Sequence, residues 1–164
     1  MNGSLYLRLA VVVALVAGTG TARGDVTVQG MTLDSDGTQV KIDQDKIWAV
    51  SLKSNTQFGE YVAPDGMGGY TLPLPDPHDD FIVRGLSKIG GMLKHARSGD
   101  LSQRFNANSN PVNLTFLPGP EYIKKYGKAE FKKHLESLLK ILPKDHPDRK
   151  SLEEHLEELK KKGK

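Results

Sequence analysis

From residue 26 to residue 117, apolar and polar residues alternate in short runs that turn-forming residues separate about every ten positions. A period of two is typical of strands with one buried face, and regularly spaced turns are typical of an antiparallel sandwich or barrel. The pattern therefore predicts a mainly β fold, a small antiparallel β-sandwich of about seven strands. The predicted strands are 26–28, 38–42, 47–52, 58–62, 70–72, 81–86 and 112–116.

The most apolar of these runs is 47–52, which contains Trp48, the only tryptophan of the chain. A strand of this composition is expected at the centre of a sheet, and its largest side chain is expected to be buried in the sandwich. In the last predicted strand, Val112, Leu114 and Phe116 share one face by the period of two. We expect that face to point inward.

Two segments between the strands differ in how well they can be interpreted. Segment 34–37, Asp-Ser-Asp-Gly, predicts a hairpin turn because Asp and Ser bond to nearby backbone and Gly adopts a positive φ. Segment 87–110 contains Gly90-Gly91 and a polar stretch before Pro111. It leaves two interpretations open, an edge strand near 92–95 or a surface loop of the kind that carries binding function.

After residues 118–120, Pro-Gly-Pro, which we interpret as a linker, the apolar period changes to three and four residues. Residues 121–164 are therefore expected to form a basic amphipathic helical hairpin, with Pro143 ending its first helix. Each apolar stripe is too narrow to be stable in water alone, so the helices must pack on each other, on the sandwich, or on a second chain as a dimer. The stripes consist of Leu135, Leu138, Leu142, Leu152, Leu156 and Leu159.

Residues 1–24 are typical of a secretory signal peptide. Arg8 precedes an unbroken apolar run at 9–17, and small residues follow, with Ala22 and Gly24 at the spacing that signal peptidase requires. The run is well short of the roughly 20 apolar residues that span a bilayer, so no stable membrane span is expected. We expect cleavage near Gly24 and a secreted or periplasmic protein.

Composition narrows the range of functions further. Residues 25–120 carry 8 basic and 11 acidic side chains, whereas residues 121–164 carry 13 and 9, so a mildly acidic body precedes a basic tail. The chain has no cysteine, which excludes a disulfide framework, a thiol nucleophile, a cysteine-ligated zinc site and an iron–sulfur cluster.

Several segments of the body together resemble a known family. Asp65-Gly66, the stretch Gly-Tyr-Thr-Leu-Pro-Leu-Pro at 69–75, Phe-Ile-Val at 81–83 and Val-Asn-Leu-Thr-Phe at 112–116 are similar to the carboxypeptidase regulatory-like domain. The resemblance covers residues 25–117 and implies a transthyretin-like, immunoglobulin-like β-sandwich. It also implies a non-catalytic accessory or adhesive module of a secreted protein. Two features depart from the family pattern, since the usual Gly-Ala-x-Val is absent and 76–80 replaces the usual Pro-Gly turn.

Four carboxylates, those of Asp34, Asp36, Asp43 and Asp45, flank the second predicted strand and are the candidates for a metal site. Carboxylate oxygens next to a glycine are suitable ligands for Ca²⁺. The same residues also make an ordinary turn, and the twelfth position from Asp34 is Asp45 where an EF-hand loop has Glu. The turn interpretation is favoured over calcium.

The segment His78-Asp79-Asp80 is the other candidate for chemistry, as a divalent metal site or a general acid/base pair. It lies in a proline-flanked loop with no second histidine at ligand spacing, so a structural turn is favoured. The alternative function is a small secreted metal-dependent or acid/base hydrolase that uses this loop. His134, His146 and His155 of the tail share no helix turn and are expected to be solvated.

The sequence assigns no catalytic residue and no cofactor, because nucleophile-elbow, P-loop and dinucleotide motifs are absent from it. Nine acids are interleaved with the basic residues of the tail, and few aromatic residues lie there to stack on bases, so no nucleic-acid partner is expected. The sequence predicts an exported, non-catalytic binding or structural accessory module. Its expected partner is a protein or a cell-surface polymer.

Overall fold

The computed structural model describes residues 26–40, 46–75, 79–102 and 110–161, which form eight strands and three helices. The predicted signal peptide at 1–24 lies outside the described residues. The strands are β1 (Val26–Leu33), β2 (Lys46–Ser51), β3 (Gln57–Val62), β4 (Gly69–Leu74), β5 (Phe81–Ile89), β6 (Met92–Arg97), β7 (Leu114–Thr115) and β8 (Leu117–Pro118). The helices are α1 (Gly119–Tyr126), α2 (Lys128–Ile141) and α3 (Arg149–Lys161).

The strands form two sheets, one of three strands in the order β4-β1-β7 and one of five strands in the order β3-β2-β5-β6-β8. The prediction of a mainly β body followed by helices is confirmed at this level. The prediction of purely antiparallel pairing is wrong for β1 and β7, which are parallel, with Thr32 opposite Leu114. Parallel neighbours need a crossover rather than a hairpin, and the chain reaches β7 only after passing through the other sheet.

Four predicted strands are present close to their expected positions, as β2 to β5, and β2 lies inside its sheet between β3 and β5. The turn at 34–37 is present, with Gly37 at a φ of 83°. The strand expected at 38–42 is reduced in the described residues to one bridge between Leu33 and Gln39, and residues 41–42 lie outside them. The segment left open at 87–110 contains a strand, β6, which pairs with β5 along its whole length.

Successive residues of β2 enter two different apolar clusters, so both faces of this strand are buried. Ile47 and Ala49 belong to an inter-sheet cluster, and Trp48 and Val50 belong to a helix-side cluster. This two-sided burial explains the continuous apolar run in the sequence. The inter-sheet cluster contains Val28, Ile47, Ala49, Tyr70, Leu72, Leu74, Phe81, Val83, Ala96, Val112, Leu114 and Phe116. The helix-side cluster contains Trp48, Val50, Ile82, Leu86, Leu117, Tyr122, Phe131, Leu135, Leu138, Leu142, Leu152 and Leu156.

Residues 118–120, interpreted above as a linker, instead complete β8 and open α1. Proline is tolerated in the first turn of a helix because the N–H that it lacks has no acceptor there, and β8 is an edge strand. The sequence analysis interpreted these prolines as a linker and therefore did not predict α1. Gly127, at a φ of 89°, separates α1 from α2, in a left-handed region that favours glycine.

The tail docks on the five-stranded sheet. Leu135, Leu138, Leu142, Leu152 and Leu156 are all buried in the helix-side cluster together with strand residues, and Leu159 packs against its edge. The prediction of a helical hairpin holds for α2 and α3, and two of the three packing alternatives, packing of the helices on each other and on the body, are thereby shown. No helix in the described part of the chain is long and apolar enough to cross a membrane.

Trp48 is fully buried, as predicted, but against the helices rather than between the sheets. We expect Trp48→Ala to lower the free energy of unfolding by about 3–5 kcal/mol, because the vacated volume lies where two layers meet. Tyr61→Ala provides a matched control, since Tyr61 is 43% exposed on β3 and the Lys46 ammonium lies 3.8 Å from its ring centroid. It should cost about 1 kcal/mol or less. Urea titrations of both variants test this expectation, and equal losses would contradict it.

Candidate functional site

A buried cation lies at the centre of the interface between the five-stranded sheet and α2. Arg84 of β5 is 1% exposed, and its Nη2 donates to Glu130 Oε1 at 2.8 Å. Its Nη1 lies 2.7 Å from Asn55 Oδ1, 2.8 Å from the Lys133 carbonyl oxygen and 2.6 Å from Ser137 Oγ, so these three acceptors share its two N–H groups. Four acceptors, three from α2 and one from the β2–β3 loop, thus hold one guanidinium, so that charge and hydrogen bonds position α2 on the sheet.

A second arginine contributes to this arrangement. Arg97 Nη1 lies 3.5 Å from Glu130 Oε1, and its Nη2 donates to Asp100 at 2.7 Å. Burial lowers the pKa of Arg84, and the charge of Glu130 opposes that shift. Glu130 is therefore the counter-ion that makes a charged Arg84 tolerable inside the interface.

Next to the arginines, a pair of histidines joins β6 to α2. His95 Nδ1 and His134 Nε2 are 3.1 Å apart, and both rings are buried. Burial lowers the pKa of His95 to about 3, with a smaller contribution from the charge of His155. Burial also lowers the pKa of His134 well below its ordinary value, and the charge of His95 adds to the shift. Both rings are therefore neutral at pH 7.

Aromatic rings enclose this pair. The His134 ring centroid is 5.4 Å from that of Trp48 and 5.1 Å from that of Tyr122, and the His95 centroid is 5.0 Å from that of Phe131. Trp48 Nε1, the Tyr122 hydroxyl and His134 Nδ1 are buried without a hydrogen-bond partner among the described residues. Buried aromatic side chains therefore surround the histidine pair, and such a low-polarity environment keeps imidazoles neutral.

A groove of about 560 Å³ opens beside His95, between the β5–β6 hairpin and the helices. Its size is within the range of about 300 to 1,000 Å³ that is typical of small-molecule sites. Apolar side chains from β6 and all three helices line it: Met92, Leu93, Ile123, Phe131 and Leu159. His95 therefore belongs both to the buried histidine pair and to the surface of the groove.

Polar groups in the groove are arranged unevenly. Lys88 Nζ and Asp148 Oδ1 are 3.0 Å apart and bridge β5 to the turn before α3. From α3, the residues Ser151, His155 and Glu158 line the groove. Residues 118–120 and Lys128, at the starts of α1 and α2, line it as well. Neither helix has a side-chain hydrogen bond at its N-cap, Pro118 for α1 and Gly127 for α2.

The sequence-predicted carboxylates of the 34–37 turn are engaged in that turn. Asp34 Oδ1 accepts from Ser35 N at 2.6 Å and lies next to Lys94 Nζ, which together lower its pKa. Asp36 Oδ1 accepts from Thr38 N at 2.9 Å and from Thr38 Oγ1 at 2.6 Å, and these bonds lower its pKa. Asp43 and Asp45 lie outside the described residues. Within the described part of the chain, no group of three acidic or histidine side chains is arranged to hold a metal ion.

Of the predicted His78-Asp79-Asp80 site, His78 lies outside the described residues. Asp79 Oδ2 accepts from Ser51 Oγ at 3.0 Å, and the Asp80 carbonyl accepts from Leu52 N at 2.9 Å. These bonds tie the loop to the end of β2. They are the contacts of a structural turn.

The expectation of solvated tail histidines is wrong for His134, which is fully buried. His134 lies at helical spacing from Phe131 and Leu138, so it falls on the apolar face of α2 rather than on the solvent face. This spacing in the sequence indicates that His134 is buried. His155 is exposed and lines the groove, and half-buried His146 accepts from Asp148 N through Nδ1 at 3.3 Å.

We predict that the two buried histidines make the folded state acid-sensitive. The ordinary histidine pKa near 6.5 applies to the unfolded chain, so between that value and about 3 the unfolded state binds protons that the folded state excludes. The free energy of unfolding should be steady above pH 7. Below pH 6 it should fall by about 1.4 kcal/mol per pH unit for each of the two histidines.

Urea titrations between pH 7.5 and 4.5 measure this slope. His134→Leu removes one of the two groups and should reduce the slope by about half. His146→Gln, which removes a histidine outside the pair, should leave the slope as it is. A wild-type slope that His134→Leu does not change would show that other groups cause the acid sensitivity.

A second prediction concerns the counter-ion of Arg84. Glu130→Gln keeps the shape of the side chain but leaves the buried guanidinium without its negative charge, which should lower the free energy of unfolding by about 3–5 kcal/mol. Glu153→Gln is the matched control, because Glu153 pairs with Arg149 at 2.9 Å and is half exposed. Its expected cost is about 1 kcal/mol or less. Similar losses in thermal or urea unfolding would contradict the assignment of Arg84 and Glu130 as the anchor of α2.

Comparison with known proteins assigns no relatives. No family model matches the sequence, and neither a curated protein nor a solved structure matches the chain at a significant level. The resemblance of residues 25–117 to the carboxypeptidase regulatory-like domain therefore stays a prediction from the sequence. The groove and the buried histidine pair beside it are therefore the features that bear on function.

Proposed function

We propose that this chain is an exported, non-catalytic binding module and that the groove between the β5–β6 hairpin and the helices binds an amphipathic small molecule. One observation carries the proposal: apolar side chains from four different elements converge on a groove of about 560 Å³ whose rim is charged. Binding sites for small molecules combine apolar walls with a few placed polar groups in this way. The predicted partner, a protein or a cell-surface polymer, stays a prediction beside it.

The absence of a catalytic contact in the groove favours binding over turnover. Ser151 and His155 are four residues apart on α3 and both line the groove, yet no hydrogen bond between described residues joins them. Acyl transfer needs a nucleophile and a base in such contact. His95 is held by His134 inside an apolar enclosure, which makes it a poor base at neutral pH because burial lowers its pKa to about 3.

We further propose that the two sheets form the transthyretin-like β-sandwich that the family resemblance implies. The inter-sheet cluster supports this, because Val28 and Leu72 of the three-stranded sheet pack with Ile47 and Val83 of the five-stranded sheet. Export rests on the signal-peptide pattern at 1–24. The module is then a sandwich whose outer face is covered by helices, and the groove lies at the edge of that cover.

The binding proposal is tested with a neutral apolar fluorophore, N-phenyl-1-naphthylamine, excited directly so that tryptophan does not interfere. We expect saturable enhancement of its emission with one probe per chain. Ile123→Trp, which fills the middle of the groove, should weaken binding at least tenfold. Met67→Trp is the control, because Met67 is 75% exposed and does not line the groove.

Two outcomes would contradict the proposal. One is that the folded protein does not bind the probe, and the other is that Ile123→Trp and Met67→Trp bind it equally well. Hydrolysis of short p-nitrophenyl esters above background, abolished by Ser151→Ala, would instead favour an enzyme that uses the same groove.

A further inference from the structure

The wall of the groove includes a histidine ring nitrogen that has no hydrogen-bond partner among the described residues. His95 is 3% exposed and lines the groove, and its Nδ1 is occupied by His134. Its second ring nitrogen, Nε2, makes no hydrogen bond to the described residues. A polar atom on so deeply buried a side chain, at the wall of a groove, is a group that a ligand can satisfy.

The surroundings of His134 Nδ1 determine which ring nitrogens of the two histidines carry protons. Its Nδ1 is buried without a hydrogen-bond partner among the described residues. A buried N–H without an acceptor is rarer in proteins than an acceptor without a donor, so the proton of His134 belongs on Nε2, which donates to His95 Nδ1. A neutral imidazole carries one N–H, and that of His95 is then on Nε2. The Nε2–H of His95 is therefore a hydrogen-bond donor at the wall of the groove.

Further positive potential lies close to this donor. The N-terminus of α1 is next to the Phe131 ring, since a Cβ on Gly119 would be 3.4 Å from Phe131 Cζ, and the Phe131 ring centroid is 5.0 Å from that of His95. Lys128 begins α2 one turn before Phe131 and has no ion pair among the described residues. Helix N-termini without a side-chain cap leave N–H groups and a partial positive charge directed outward.

The two acids that line the groove, Asp148 and Glu158, come from α3 and the turn before it. Asp148 precedes α3 and is neutralised by Lys88 at 3.0 Å. Glu158 and His155 belong to α3 itself. Among the groove residues that β6, α1 and α2 supply, Lys128 is thus the charged one, and Leu93 and Ile123 are apolar.

We propose that the ligand is a single-chain amphipathic carboxylic acid, with its carboxylate bound by His95 Nε2–H and the Lys128 ammonium. Its hydrocarbon chain lies along Leu93, Ile123 and Leu159. This inference rests on the proposed function of the groove and adds the chemical class of the ligand. The carboxylate satisfies the buried donor and the lysine at once, which an alcohol or an amine of equal length does not.

Competition between octanoate and 1-octanol for the bound fluorophore tests the inference. The two ligands have equal chain lengths and differ in the head group. Because hydrogen bonds to charged groups are the stronger ones, octanoate should displace the probe at a concentration at least about tenfold lower than octanol. Equal displacement by both would overturn the carboxylate assignment and leave the binding groove intact, whereas failure of the probe itself to bind removes the proposed function as well.

Matched variants test whether the carboxylate head group binds to Lys128 and His95. Lys128→Gln should reduce the preference for octanoate about two- to fivefold, and Lys132→Gln, one turn further along α2 and outside the groove, should not change it. His95→Gln keeps an N–H donor and should retain most of the preference, while His95→Phe should abolish it.

A spectroscopic measurement on the unmodified protein is independent of whether these variants fold. The imidazole ¹⁵N spectrum at pH 7 should show His95 protonated on Nε2, and octanoate should shift that resonance while octanol does not. A His95 ring protonated on Nδ1, a resonance insensitive to octanoate, or unchanged selectivity in Lys128→Gln would each overturn the proposal.

Discussion

The central strands of the five-stranded sheet are apolar on both faces, and this constraint organises the rest of the molecule. Ile47 and Val83 need the second sheet on one side, and Trp48 and Ile82 need a cover on the other. A sheet whose two faces are both apolar is stable only as the middle layer of three. The helices are therefore part of the core, and the Arg84 cluster, the histidine pair and the groove lie where this third layer meets the sheet.

Polar groups inside the third layer determine where it sits. An apolar surface alone tolerates sliding, whereas three of the four acceptors around the Arg84 Nη atoms belong to α2 and so fix the position of that helix. Removing a guanidinium and a carboxylate from water is unfavourable, so the gain is in the uniqueness of the packing more than in stability. The same placement brings His134 to His95 and Phe131 to the wall of the groove.

Local patterns predicted the elements well and the site poorly. The apolar run of β2 and the leucine spacing of α2 and α3 are properties of neighbouring residues, so they can be read from the sequence. The groove combines residues from Lys88 to Leu159, and no spacing encodes that proximity. Arg84 was one polar residue in a strand, and its burial depends on a carboxylate 46 positions away. For His134 alone, the leucine periodicity already indicated the interior.

The order of the layers along the chain has a consequence for biogenesis. Synthesis proceeds from the N-terminus, so β2 and β5 are complete well before the residues of α2 and α3 that cover them. During that interval Trp48, Val50 and Ile82 form an apolar face without its cover, the kind of surface that associates with other chains. A chaperone that holds this one face until the last helix is made would protect the nascent protein from aggregation at its most vulnerable stage.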